Sequence, residues 1–154
     1  MGSSAKGAVI DSDARRRLAA DLFNHVWTLL ETLDRTVEQD DEMVHAAHAS
    51  RYHWGEVGAP ANRCRGEWQC SRVYAVLGRA EPALHHATRC LEICQQYGIG
   101  DWDIAFAYEA LTRASRIAND WAAHERYLAL AREAGDQIRE AEDRELFEAD
   151  IATA

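Results

Sequence analysis

The chain has 154 residues and carries 26 acidic against 17 basic side chains, a formal net charge of −9 at pH 7. This acidic balance argues against a nucleic acid or an anionic membrane surface as the main partner. No apolar run is long enough for a transmembrane helix and no secretion signal opens the sequence, so we expect a cytoplasmic protein. We interpret residues 1–10 as a flexible leader or expression scar and residues 11–154 as one domain.

Apolar residues recur at spacings of three and four along the whole chain, and no segment alternates with a period of two, which predicts an all-α fold. A first helix is expected from about Asp13 to Leu33, with Ser12 or Asp13 as its N-cap. One stripe of this helix is apolar and is expected to be buried: Leu18, Leu22, Val26, Leu29, Leu30 and Leu33.

A second helix is predicted to begin at Thr36, because Thr36 followed three residues later by Gln39 is a capping-box pattern. Gly55, Gly58 and Pro60 are expected to end it. The residues that share its predicted inward face are Met43, Ala47, Ser50, Trp54 and Val57.

The third and fourth helices are predicted from prolines and glycines. Pro60 suits the first turn of a helix that runs to Leu77, and Pro82 starts the next helix, which glycines at 98 and 100 end. The inward residues expected on the third helix are Cys70, Ser71, Tyr74 and Leu77, and those on the fourth are Ala83, Leu84, Ala87, Cys90, Leu91 and Cys94.

Three more helices are expected in the last third of the chain. Asp101 is placed to cap a fifth helix, and Asn119 and Asp120 turn the chain into a sixth. A short acidic helix from about Glu142 to Ile151 offers apolar residues to the preceding helices, and we expect it to cover an otherwise exposed end.

Seven residues of the third and fourth helices occur in the order aromatic, small, tyrosine, glycine and spaced small residues: Trp68, Ser71, Tyr74, Gly78, Ala83, Ala87 and Cys90. This order resembles a tetratricopeptide (TPR) repeat. Aligning Gly78 with Asn119 gives a spacing of about 41 residues, longer than the usual ~34 of that family. The resemblance implies three antiparallel helical hairpins stacked as a short TPR-like solenoid with a C-terminal capping helix. A closed six-helix bundle is the alternative.

In TPR proteins the first helix of each hairpin lines the concave surface, so the resemblance implies that one side of the third and fifth helices faces a partner. The residues on these sides are Arg65, Trp68 and Arg72, and Phe106, Glu109, Arg113 and Arg116. Guanidinium groups bind carboxylates through paired hydrogen bonds. We therefore expect a non-enzymatic adaptor or scaffold for a protein or peptide, and a carboxylate-bearing peptide would suit these arginines. The alternative is an ordinary solvated face.

Asp41, His45, His48 and Tyr52 lie on one line of the second helix, opposite its predicted inward face. A carboxylate with two imidazoles is a hypothetical metal or acid–base site, and it supports the alternative function of a small metal- or histidine-dependent enzyme or ligand-binding protein. The other interpretations are a polar surface face and the interface of a homodimer whose dissociation would follow histidine protonation.

The four cysteines form no CxxC pair. Cys90 and Cys94 follow His86 at helical spacing, with Cys64 and Cys70 on the neighbouring helix, so a zinc site is conceivable. We favour core packing, since free cysteine behaves as a small apolar residue, and we predict neither a metal nor a cofactor. No GxSxG, phosphate-loop or HExxH motif occurs, which favours a function other than catalysis.

Overall fold

The structure, a computed structural model, describes residues 10–154, and this part of the chain forms seven α-helices and no strand. The helices are α1 (Ser12–Glu31), α2 (Val37–Val57), α3 (Pro60–Val76), α4 (Ala80–Tyr97), α5 (Asp101–Ile117), α6 (Trp121–Gly135) and α7 (Ala141–Ile151). The all-α prediction is thereby confirmed. The predicted leader, residues 1–10, lies outside the described residues except for Ile10. None of these seven helices is long and apolar enough to cross a membrane.

The local signals at several helix starts are confirmed. Thr36 Oγ1 accepts the Gln39 amide at 3.2 Å and Gln39 Oε1 accepts the Thr36 amide at 2.9 Å, which completes the capping box of α2. Pro60 occupies the first turn of α3. The Asp120 side chain accepts the Ala123 amide at 3.1 Å and caps α6.

Two predicted caps are wrong. Asp11, rather than Ser12 or Asp13, caps α1, since its carboxylate accepts the Ala14 amide at 3.2 Å. Asp101 has a left-handed backbone with φ of 55° and makes no cap bond to α5. Its carboxylate instead accepts the amide of Arg139, just before α7, at 3.0 Å. A long-range contact has therefore replaced the local one.

Each helix contacts the next one in the chain, from α1 and α2 to α6 and α7. The odd-numbered helices also contact each other in succession: α1 with α3, α3 with α5, and α5 with α7. Among the seven helices, no two even-numbered helices have backbones within 8 Å of each other, although the side chains of His48 on α2 and His86 on α4 meet. The odd-numbered helices therefore form a continuous layer, and this layer carries the cavity described below.

The core is concentrated on α3 and α5, because both are covered by helices on several sides. The buried residues of α3 include Glu67, Trp68 and Gln69 in addition to the predicted Cys70 and Ser71. In α1, Val26 and Leu29 are buried as predicted, but Leu33 is 87% exposed because the helix ends at Glu31. Leu18 is also exposed, and Ala19 takes the buried position beside it.

Candidate functional site

A cavity of about 310 Å³ lies on the layer of odd-numbered helices. Helices α1, α3, α5 and α7 all contribute to its wall, and α4 adds one residue. The lining consists of Phe23, Trp27, Cys64, Arg65, Trp68, Cys90, Trp102, Asp103, Phe106, Asp143, Leu146 and Asp150. The cavity is therefore formed mainly by four helices that are separated from one another in the sequence.

Aromatic rings form most of the apolar wall. The Trp68 ring lies 5.6 Å from that of Trp27 and 5.7 Å from that of Phe106, the latter nearly perpendicular. Phe106 in turn makes edge contacts with Trp102 and with Phe147 of α7. Edge-to-face pairs of this kind stabilise the fold beyond the area they bury, by about 0.5–1.5 kcal/mol each. The wall is consequently held in shape by its own ring contacts.

Arg65 and Asp103 form a two-pronged ion pair in the cavity wall. Arg65 Nε and its terminal nitrogen donate to the two Asp103 oxygens at 3.1 Å each, and the guanidinium lies 4.3 Å from the centre of the Trp102 ring. Burial raises the pKa of the Asp103 carboxyl, although the Arg65 charge and hydrogen bonds act in the opposite direction. Arg65 is thus on the predicted surface, with a carboxylate of the chain already bound to it.

Glu109 is fully buried behind the cavity and collects three donors. The Trp68 indole donates to Glu109 Oε2 at 3.1 Å, Arg113 donates to Oε1 at 2.8 Å, and Arg72 approaches Oε1 at 3.4 Å. The Arg72 guanidinium also lies 5.3 Å from the centre of the Trp68 ring. The carboxylate therefore fixes the indole that forms the centre of the cavity wall.

Arginines of α3 and α5 hold the C-terminal end of α7 and the residues that follow it. Arg72 pairs with the Asp150 carboxylate at 2.9 Å. Arg113 donates to the Asp150 carbonyl at 2.8 Å and to Thr153 Oγ1 at 2.9 Å, and Arg116 donates to the Thr153 carbonyl at 3.0 Å. The chain thus places a segment of its own on these three guanidinium groups.

The structure brings together Arg65, Trp68 and Phe106 of the predicted binding surface in the cavity wall. Glu109, Arg72 and Arg113 lie directly behind it in the ion-pair network, whereas Arg116 is exposed at its edge. Sequence reasoning missed the lining residues of α1 and α7, and also Trp102 and Asp103. A usable signal was present in the spacing of Phe23 and Trp27 and of Trp102 and Phe106, which are both aromatic pairs four residues apart.

The predicted line of Asp41, His45, His48 and Tyr52 divides in the structure. Only His48 turns toward the neighbouring helices, where its Nε2 lies 2.7 Å from the Tyr74 hydroxyl. The other three are exposed. His48 also contacts the ring of His86 on α4, with centroids 5.2 Å apart.

Next to this histidine pair lies a buried carboxylate. Glu67 accepts from His86 Nδ1 at 2.6 Å and from Arg51 Nε at 3.0 Å. Burial by itself would raise the pKa of Glu67, but the hydrogen bond and charge of His86, with the charge of Arg51, outweigh it and lower the pKa. The Glu67 carboxylate therefore stays ionised to a lower pH than an ordinary glutamate, and it links α2, α3 and α4.

Burial lowers the pKa of His48 from its usual 6.5, and the neighbouring His86 lowers it further against the opposing charge of Glu67. His48 is therefore protonated at higher pH in the unfolded chain than in the folded chain. The stability that depends on neutral His48 is present above pH 6.5 and is lost as the pH falls below it. We expect a decline in the free energy of unfolding between about pH 7.5 and pH 5.5 that is smaller in His48→Gln.

Urea unfolding at the two pH values measures this effect. His25→Gln is the matched control, because His25 is exposed on α1 and its one ion pair among the described residues is with Glu42. It should keep the wild-type pH dependence. An unchanged pH dependence in His48→Gln would show that His48 contributes nothing to it.

Three of the four cysteines meet in the structure. Among residues 10–154, Cys64, Cys90 and Cys94 are the only group of three or more potential metal ligands whose donor atoms lie within 4.8 Å of one another. Cys70 lies in a different apolar cluster and His86 is bonded to Glu67, so neither belongs to this group. Of the five residues weighed for a zinc site, these three alone converge.

Comparisons of the chain with protein-family models, with curated proteins and with solved structures found no significant match.

Proposed function

We propose that this chain is a TPR-like helical-repeat scaffold that binds a peptide or protein segment in the cavity on its odd-numbered helices. The single observation that carries the proposal is the position of the cavity. Its lining comes from α1, α3, α5 and α7 together, with one residue from α4. In a stack of hairpins, these are the helices that form the concave surface.

The helix contacts favour such a stack over a closed bundle. Successive odd-numbered helices touch, and neither α1 nor α2 contacts α5, α6 or α7. A closed six-helix bundle would bring the first and last helices side by side. Helix α7 takes the place of a capping helix, because its backbone packs on α5 and α6 alone, and its Asp150 side chain reaches Arg72 of α3.

The chemistry of the lining favours an apolar anchor on the partner. Aromatic residues dominate the wall, and the volume of about 310 Å³ is near the lower end of the usual ~300–1,000 Å³ range of ligand sites. It has room for one or two large apolar side chains. Because Arg65, Arg72 and Arg113 each face a carboxylate of the chain itself, a partner carboxylate would have to displace an internal one.

The charge around the cavity favours a basic residue next to that anchor. The lining includes three carboxylates, Asp103, Asp143 and Asp150, against the single guanidinium of Arg65. The net charge of the whole chain is −9. Opposite charge on the partner would accelerate association and hold the anchor in register.

Selection of peptides from a random display library on the intact protein, followed by fluorescence titration of the best binder, tests this function. Leu146 is 64% exposed in the cavity wall, so Leu146→Arg should weaken binding at least about tenfold by placing a desolvated charge where the anchor enters.

Leu33→Arg is the matched control, because Leu33 is also an exposed leucine and does not line the cavity. It should bind the peptide as the wild type does. The proposal fails if no peptide is enriched, or if Leu146→Arg and Leu33→Arg bind the selected peptide equally well.

A second candidate is the histidine- or metal-dependent enzyme, or ligand-binding protein, on the Asp41, His45, His48 and Tyr52 face. It is favoured by one observation, the hydrogen bond between His48 and Tyr74 beside the pair of His86 and Glu67. A metal bound on this face would be lost in His48→Ala and retained in Cys94→Ala. Elemental analysis of the untagged variants makes this distinction.

A further inference from the structure

Three thiols converge at one point between α3 and α4. The Cys64 sulfur lies 3.4 Å from that of Cys90 and 3.1 Å from that of Cys94, and all three residues are buried. Cys90 and Cys94 are one helical turn apart and so lie on the same side of α4, facing α3. The three sulfurs therefore form a compact triangle supplied by two elements of fixed geometry.

Packing alone accounts for a cysteine such as Cys70, but it does not require three sulfurs in mutual contact. Cys70 is equally buried, lies among aliphatic side chains and makes no hydrogen bond through its sulfur to the described residues. The converging thiols instead exchange hydrogen bonds with each other, and Cys64 also approaches the Cys90 carbonyl at 3.6 Å. Polar groups turned toward one another in this way are able to share a cation.

The triangle is also reachable from solvent through the cavity. Cys64 and Cys90 are part of the cavity lining, and Asp103 lies in the same wall. An ion could thus enter without separating α3 from α4. A site of this kind needs ligands, geometry and an entry path, and the structure offers all three.

We propose that Cys64, Cys90 and Cys94 bind one soft closed-shell metal ion, Cu(I) or Zn(II), through three thiolates. Thiolate sulfur is the protein ligand that both ions prefer. Three sulfurs complete a trigonal site for Cu(I), whereas Zn(II) takes a fourth ligand, which a water molecule in the cavity would supply.

Hydrogen bonds from Cys64 and Cys90 lower the pKa of Cys94, so this sulfur is the one most ready to ionise. The hydrogen bond with Cys90 lowers the pKa of Cys64, but the hydrogen bond with Cys94 and burial outweigh it and raise the pKa, and hydrogen bonds to both neighbours with burial raise the pKa of Cys90. Binding forms three metal–sulfur bonds and releases one proton for each sulfur that is protonated in the metal-free protein. No change of oxidation state is involved.

The test is a titration of the reduced, intact protein with Zn(II) and, separately, with Cu(I) delivered from a competing chelator. We expect one equivalent of at least one ion to bind. Cys64→Ala and Cys94→Ala should each weaken it at least about 100-fold, because each removes one of only three ligands. Cys70→Ala, with a buried thiol removed from the same helix as Cys64, should bind as the wild type does.

The two ions distinguish the coordination. Tight binding of Cu(I) alone assigns the trigonal site, and binding of Zn(II) assigns the site completed from the cavity. Circular dichroism identifies any variant that fails to fold. If either Cys64→Ala or Cys94→Ala fails to fold, the other one is compared with Cys70→Ala. Binding of neither ion at one equivalent, or equal affinity in Cys94→Ala and Cys70→Ala, overturns the proposal. This outcome leaves the peptide-binding function untouched, since that function is measured without metal.

Discussion

Glu109→Ala is expected to lower the free energy of unfolding by about 3–5 kcal/mol, the range for removal of one member of a buried ion pair. Glu109 is fully buried and accepts hydrogen bonds from the Trp68 indole and from Arg113, with Arg72 close by. Without the carboxylate, two mostly buried guanidinium groups lose their shared counter-charge. The indole N–H also loses its acceptor, at a further cost of desolvation. Urea unfolding followed by circular dichroism measures the difference.

Two variants separate this effect from a general loss of negative charge. Glu109→Gln keeps the size of the side chain and an oxygen for the Trp68 indole, so it should be less destabilising than Glu109→Ala. Glu133→Ala removes an exposed carboxylate from α6 and should change the free energy of unfolding by no more than about 0.5 kcal/mol. A loss below about 1 kcal/mol in Glu109→Ala would mean that the arginines find other partners at little cost.

Phe147→Ala is expected to release α7 from the rest of the fold. Phe147 is the only buried residue of this 11-residue helix, and it packs with Ala105, Ala131 and Ile138. Truncation of a buried phenylalanine costs about 3–5 kcal/mol, and a helix this short is not stable without packing. Hydrogen exchange of the α7 amides should therefore accelerate at least about 100-fold, while the amides of α3 and α4 keep their protection.

Gly135 tests the same contact from the other side. A Cβ added at Gly135 would overlap with Phe147 Cε1, so Gly135→Ala must displace the ring and should also accelerate exchange in α7. Leu146→Ala is the control on α7, because Leu146 is mostly exposed and its truncation should leave the exchange nearly unchanged. If α7 keeps its protection in both Phe147→Ala and Gly135→Ala, the ion pair and hydrogen bonds of residues 150–153, rather than Phe147, hold this helix in place.

Release of α7 would also change the lining of the cavity. Three lining residues, Asp143, Leu146 and Asp150, belong to α7, and the Asp150 carboxylate is a partner of Arg72. Without a docked α7 the cavity would thus become a wider, less acidic groove, and the Arg72 guanidinium would lose Asp150 as a partner. If the selected peptide occupies the proposed surface, its affinity for Phe147→Ala should differ from its affinity for the wild type.

Much of the secondary structure follows from short-range patterns. The capping box of Thr36 and Gln39, the first-turn Pro60 and the cap at Asp120 each act within four residues, and the structure contains all three. Asp101 has the same local signature, yet it binds the Arg139 amide instead. Both aspartates are followed directly by a tryptophan at the start of a helix. The difference arises because α7 approaches one of them and not the other.

The candidate site was predicted only in part for a similar reason. Helical spacing correctly groups Arg65, Trp68 and Arg72 on one side of α3, but it assigns that side to a partner or to solvent. In the structure Trp68 is 9% exposed, because α1 and α5 pack on both flanks of α3. Phe23 and Trp27 belong to the same cavity, and no pattern within α1 relates them to residues some 40 positions later.

The amino-acid sequence by itself determined the seven helices, most of their ends and the acidic character of the chain, because these depend on spacing, capping and charge within a few residues. Only the tertiary structure decided that Glu109 is buried among arginines, that three cysteines from two helices touch, and that four odd-numbered helices enclose one cavity. Periodicity identifies the sides of a helix. Which side a distant segment covers depends on long-range packing, and that packing determines where this protein can bind a partner or a metal ion.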